Sequence, residues 1–275
     1  MKPRVAVIQF PGVNCEYETA AALERSAIDA AIVRWNMPLG TLETFDGFVL
    51  PGGFSYQDRV RAGAVAAADE VIEVVVAQAG KGKPVVGICN GAQVLVEAGL
   101  IPGLDGGAIA LGLAPNKGMG RDGYYADWVF VRVGPEPERF AATCCLEPGE
   151  VIPIPVAHGE GRFVSSGSGV FDRLDRESLI VLKYCEPDGT PARRFPSDPN
   201  GSERLAAGIA NSPGNVVAMM PHPERATWLR QVPDQLDTVW AKRKARGGSS
   251  WLELEGEGPC SRVFHSLREY IRRRV

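Results

Sequence analysis

The chain has 275 residues, 45% hydrophobic and 23% charged, with a formal net charge of -3. That balance supplies a sizeable core and leaves no basic field for nucleic acid or an anionic membrane surface. No apolar run spans a membrane, the opening residues carry no export signal, and the six cysteines lack paired metal-ligand spacing.

A cytoplasmic protein with reduced thiols is therefore expected, folded as one domain over 1–275. In chain order, Val5 to Phe10 reads as an apolar strand closed by Pro11-Gly12. Glu16 to Ser26 reads as a helix, Ala30 to Trp35 and Phe45 to Leu50 as strands, and Arg61 to Ala79 as one long Ala/Val helix. Pro84 to Ile88 is a buried strand by its β-branched content, and a helix is expected from Ala92 to a stop at Gly99. This order predicts an α/β fold, an open and mostly parallel sheet flanked by helices, with ligands at the carboxyl ends of the strands. Beyond Gly99, short β-branched runs (108–113, 128–133, 151–156, 179–184 and 215–220) predict antiparallel additions to the same sheet system. The polar, mixed-charge stretch 228–258 reads as a surface insertion, and Arg262 to Arg273 as a closing helix.

Cys89 stands where the Pro84–Ile88 strand hands over to a helix, in Gly87-Ile88-Cys89-Asn90-Gly91. That is a nucleophile elbow written with cysteine. Side chains at the flanking glycines would collide with the neighbouring strand or helix. The turn lifts the thiol out of the backbone and aims helix N-terminal amides at it, which favours the thiolate.

A cysteine nucleophile needs a base, and the chain has three histidines. His222, in Met220-Pro221-His222-Pro223-Glu224, follows an apolar strand. In an extended segment His222 and Glu224 share a face, so the carboxylate can fix one ring nitrogen while the other meets the thiol. His158 is a second candidate base or a wall of the site, and His265 reads as a surface residue of the closing helix. For the oxyanion, the backbone N–H of Asn90 is one donor, and Gly53 and Phe54 in Pro51-Gly52-Gly53-Phe54 offer another. Gln93 and His158 are candidate substrate contacts.

Gly118-Met119-Gly120-Arg121-Asp122-Gly123 matches a dinucleotide fingerprint in letters, but an extended run follows it, not a helix. With no Walker-type loop either, the chain is expected to lack a nucleotide site of its own.

Gly-Ile-Cys-Asn-Gly, Pro-Gly-Gly-Phe-Ser-Tyr and Pro-His-Pro-Glu-Arg resemble class I (triad) glutamine amidotransferases. Phe10 to Cys15, His158 to Phe163, Asp198 to Ser202 and Gly214 to Pro221 are similar to the glutaminase subunits of phosphoribosylformylglycinamidine synthase. The resemblance implies the flavodoxin-like amidotransferase fold and a Cys89, His222, Glu224 triad that hydrolyses L-glutamine to glutamate and ammonia. It implies no metal or cofactor on this chain. ATP and magnesium would sit on a larger synthetase partner that converts formylglycinamide ribonucleotide to formylglycinamidine ribonucleotide, with a small third subunit often present. Two positions depart from the family pattern: Gln57 stands where glycine is usual, and Ala92 where a second cysteine is common. The alternatives are service to a different ATP-dependent synthetase, and a non-catalytic regulatory module of the same fold.

Overall fold

The computed structural model describes residues 2–104, 106–118, 121–165, 167–247 and 250–274. Its strands are β1 (Arg4–Gln9), β2 (Asp29–Arg34), β3 (Gly47–Leu50), β4 (Val85–Ile88), β5 (Leu111–Ala114), β6 (Lys117–Gly118) and β7 (Arg121–Asp122). There follow β8 (Tyr125–Val133), β9 (Val151–His158), β10 (Arg162–Ser165), β11 (Ile180–Cys185), β12 (Ala206–Ala210) and β13 (Val216–Met219). The helices are α1 (Glu16–Arg25), α2 (Ala64–Ala67), α3 (Glu70–Gly80), α4 (Asn90–Glu97), α5 (Val170–Arg176), α6 (Val239–Gly247), α7 (Trp251–Leu254) and α8 (Ser261–Arg272).

One nine-stranded sheet carries the molecule, in the order β2-β1-β3-β4-β13-β12-β11-β8-β9. Its first part, β2 to β13 in that order, is parallel throughout. The remainder, from β12 to β9, runs antiparallel. β3, β4 and β13 are buried at every residue, as expected of parallel strands covered on both faces. The expected mostly parallel sheet with antiparallel additions is thus what the chain forms. β5 is an exception: it pairs with β10 in a separate two-stranded sheet and adds nothing to the main one.

Three other details differ from the sequence reading. The long helix expected over 61–79 is two helices, because Asp69 turns extended and its carboxylate caps α3 by accepting from the Val71 N–H at 3.0 Å. The helix after Cys89 begins at Asn90, not Ala92, so Cys89 is itself the N-cap. His265 is only partly exposed, with Nε2 3.7 Å from Glu257 Oε1.

Residues 228–258 leave and rejoin the body side by side. The Leu229 N–H donates to Gly256 O at 2.9 Å and the Gly258 N–H to Thr227 O at 2.8 Å. Between those ends lie α6 and α7, with a small cluster of Leu229, Val232 and Ala241 separate from the main core. Among the described residues no helix is long and apolar enough to cross a membrane. Of the Gly118–Gly123 fingerprint, Met119 and Gly120 lie outside the described residues; β6 and β7 on either side pair antiparallel, and the extended β8 follows.

Candidate active site

The carboxyl ends of β1, β3, β4 and β13 converge on a cavity of about 210 Å³. Cys15, Gly53, Cys89 and His222 each reach it from the loop that follows one of those strands. The strands of Cys89 and His222 are neighbours, with Ile88 opposite Met219.

Cys89 has φ 50 and ψ -105, a conformation that a residue with a side chain adopts at a cost of order 1–3 kcal/mol. The surrounding packing enforces it. A Cβ at Gly87 would come within 2.6 Å of Gly91 O and of Leu95 Cδ1, and one at Gly91 would be driven into the Leu50 carbonyl of β3. Only glycine fits either side of the elbow. The thiol lines the cavity, with Sγ 3.6 Å from the Ala157 carbonyl.

His222 and Glu224 are brought together, but not by strand alternation. His222 is the N-cap of a 3-10 turn, Pro223–Ala226, and that turn folds the carboxylate back onto the ring. Pro223 opens the turn with its φ already fixed, so the geometry is local. Nδ1 of His222 lies 2.5 Å from Glu224 Oε1, with the two side chains 2% and 0% exposed. The His222 N–H donates to Pro155 O at 2.8 Å, which pins the turn to β9. Burial opposes a charged imidazolium here, but the Glu224 carboxylate and then Cys89 hold His222 well above the usual imidazole range. Its Nε2 is buried without a hydrogen-bond partner among the described residues.

The CobB/CobQ-like glutamine amidotransferase domain matches residues 2–271. The phosphoribosylformylglycinamidine synthase subunit PurQ of Methanothrix thermoacetophila is 44% identical over 276 residues, covering 98% of this chain and 99% of that one. The PurQ subunit of Thermus thermophilus is 42% identical over 224 residues, 81% of this chain and 89% of its own. The chain belongs to the PurQ-type class I glutamine amidotransferases. Among solved structures, one of PurLQS from Thermotoga maritima superposes with a TM-score of 0.71 at 32% identity, over 98% of this chain and all of that chain.

In this PurQ-type chain two backbone donors stand unengaged near Cys89, one directly after it in α4 and one in the turn after β3. The N–H of Asn90, first residue of α4, and that of Gly53 make no hydrogen bond among the described residues. The expectation for Phe54 fails in part: its N–H is spent on Gly12 O at 3.0 Å, although the residue does line the cavity. The Asn90 side chain does more than its backbone suggested. Oδ1 accepts from the Ser55 N–H at 3.0 Å, and Nδ2 donates to Gln93 Oε1 at 2.9 Å, so the Gly52-Gly53 loop is tied to α4.

Gln93 lines the cavity with both polar ends engaged, Nε2 donating to Glu160 O at 2.7 Å. It holds the Gly159-Glu160 turn against the elbow. His158 ends β9 and is 3% exposed. Burial, and then the neighbouring His222, pull its imidazole down to about 3, so it is neutral at any working pH and a poor base. Nδ1 donates to Asn116 Oδ1 at 3.1 Å. That tautomer follows from Asn116, whose orientation is set because Oδ1 also takes the Gly161 N–H at 2.9 Å and Nδ2 donates to His158 O at 2.8 Å.

Asn116 went unnoticed in the sequence, where nothing local marks it. The Asp198–Ser202 stretch belongs to the same support. Asn200 Nδ2 donates to Gly161 O at 2.8 Å, and Ser202 Oγ accepts from the Phe163 N–H at 3.0 Å. Together they hold the His158–Phe163 segment from behind.

Proposed function

We propose that the chain opens L-glutamine with Cys89 as nucleophile, His222 as base and Glu224 as the carboxylate that orients it. The observation that supports this most directly is the strained Cys89 elbow beside the buried His222–Glu224 pair in one cavity. His222 Nε2 takes the thiol proton, and Sγ attacks the side-chain amide carbon. The oxyanion is received by the unengaged N–H groups of Asn90 and Gly53. His222 then gives its proton to the leaving nitrogen, ammonia departs and a glutamyl thioester remains. Water, deprotonated by His222, cleaves the thioester to glutamate and restores the thiol. In this reading nucleophile, base and oxyanion donors all come from this chain, and the steps call on no cofactor or metal.

The ammonia is delivered to a synthetase that makes formylglycinamidine ribonucleotide from formylglycinamide ribonucleotide in purine biosynthesis. The PurQ relatives are named as phosphoribosylformylglycinamidine synthase subunits, and the Thermotoga maritima structure is one of PurLQS. Those names support a larger synthetase and a small third subunit as partners here, with ATP and magnesium on the synthetase, in the cytoplasm. Ammonia free in water at neutral pH would be protonated and lose its nucleophilicity, which is the physical reason for a closed complex. The test is labelling with a glutamine-analogue electrophile, followed by peptide mapping. Modification at Cys89 is expected, and an inert Cys89 in the assembled complex would reject the reading.

A further inference from the structure

A second thiol stands against the base. Cys15 is the N-cap of α1, 1% exposed, and lines the same cavity. A side chain at Gly52 would strike the His222 ring and the Cys15 Sγ together, which shows that thiol and imidazole meet across that glycine. Ligand atoms of Cys15, His222 and Glu224 all lie within 4.8 Å of one another. The Glu224 carboxylate also has a spare oxygen, since Oε2 is buried with no partner among the described residues.

We propose that Cys15, His222 and Glu224 form a binding site for a thiophilic divalent cation, Zn²⁺ above all, and that its occupancy switches the base off. Thiolate, imidazole and carboxylate are the donor set zinc takes, at bonds of about 2.0–2.3 Å. A tetrahedral ion spaces such atoms roughly 3–4 Å apart, so small side-chain rotations close the set. Ions enter from the cavity, which also leaves room for water as the fourth ligand.

Charge agrees. Arg225 Nη2 donates to Cys15 Sγ at 3.1 Å and would repel a cation, but its Nε is held by Glu18 at 2.9 Å. With Cys15 ionised, three anions (Cys15, Glu18 and Glu224) face the Arg225 guanidinium, and the charge that His222 carries leaves as a proton when the metal binds, so a divalent ion restores the balance. Binding breaks the Cys15 S–H bond, forms Zn–S, and sends that proton to solvent. When Nδ1 takes the metal its proton also leaves to solvent, and the proton that the raised imidazole already carries stays on Nε2. Nε2 then donates and cannot accept the Cys89 proton.

The binding half stands on geometry alone, whereas the inhibitory half rests on the proposed function. The probe is Co²⁺, titrated into full-length Cys89→Ala so that the nucleophile contributes no ligand. One equivalent is expected, with thiolate-to-cobalt absorption that Zn²⁺ displaces. Adding Cys15→Ser, or separately His222→Ala, removes the signal; the second variant decides the matter if the first does not fold. A signal absent from Cys89→Ala, or unchanged by both additions, overturns the site. In the wild-type complex Zn²⁺ abolishes glutamine-dependent synthesis and a chelator restores it. Cobalt bound through Cys15 without that inhibition overturns the switch. A chain that binds cobalt this way yet never turns over glutamine contradicts the proposed function and not the site.

Discussion

His222 Nδ1 and Glu224 Oε1 sit 2.5 Å apart at the two ends of a single 3-10 turn, sealed from solvent. The carboxylate therefore occupies Nδ1 and leaves Nε2 as the ring nitrogen without a partner among the described residues.

Donor and acceptor chemistry should separate on that basis. Cys89→Ala abolishes glutamine-dependent synthesis by the assembled complex, while ammonium salt at mildly alkaline pH restores product. His222→Ala behaves the same way. Glu224→Ala keeps more activity than either, with a loss on the order of 10²–10⁴ in kcat. Near-normal glutamine use by Cys89→Ala would show that the nucleophile lies elsewhere.

Asp58 gives a pH signature in stability. Burial, and then the Glu160 charge across the cavity mouth, raise its carboxyl to about 6. A carboxylate raised in the folded state costs stability once it must ionise. That cost is absent below the unfolded value near 3.9, grows between the two values and is complete above about 6. Asp58→Asn should raise the melting temperature at pH 7.5 and leave it unchanged near pH 3.5. Half-exposure to solvent keeps the effect small. Melting curves across that range check it, and an equal shift at both ends would remove Asp58 ionisation as the cause.

Gln57 holds φ 60, between Tyr56 at φ 51 and Asp58 at φ 52. The left-handed conformation costs a residue with a side chain roughly 1–2 kcal/mol, while glycine adopts it freely but loses more entropy on folding. Gln57→Gly should therefore stabilise the chain by about 0.5–1 kcal/mol in denaturant unfolding. A destabilised variant would mean that the Gln57 side chain holds the loop, beyond its contact with Arg59.

The 228–258 segment divides into a removable tip and a base that touches the site. Gln231 Nε2 donates to Glu224 O at 3.2 Å, and its Oε1 accepts from the Trp228 N–H at 2.8 Å. Excising 234–254 behind a short Gly/Ser bridge should leave a cooperative melt and full labelling at Cys89. Extending the cut through Gln231 should lower kcat without abolishing the fold. Loss of cooperativity with the shorter cut would show that the Leu229–Val232–Ala241 cluster is integral to the core.

The elbow was legible because its pattern is short in sequence, although only Gly87 answers contacts inside the strand–helix turn and Gly91 answers the Leu50 carbonyl of the adjacent β3. The parallel half of the sheet was legible for a similar reason, since buried strands write continuous apolar runs. β12 escaped notice because Ala206–Ala210 is mostly small residues with little β-branched signal. The break at Asp69 was written in the sequence as a capping residue within an apolar run, and the helical period masked it. Asn116 had no local mark at all, because its partners His158 and Gly161 lie 42 and 45 residues away and only the fold joins them. His222 and Glu224 were paired correctly for a geometric reason that does not hold, a turn having replaced the extended segment.

The adjacency of β4 and β13 makes the reaction centre indifferent to much of the path between its halves. After Cys89 the chain builds the antiparallel wing of the same sheet and returns in β13, one strand spacing from β4, about 4.8 Å. Loops along that detour can lengthen or shrink while the wing still presents His158, and Cys89 and His222 do not move apart. What the arrangement does not tolerate is a slip. Sliding β13 by one residue against β4 would reverse its inward and outward faces, carry His222 off the cavity and break the pairing with β12 as well. Its point of fragility is register, at Ile88 opposite Met219.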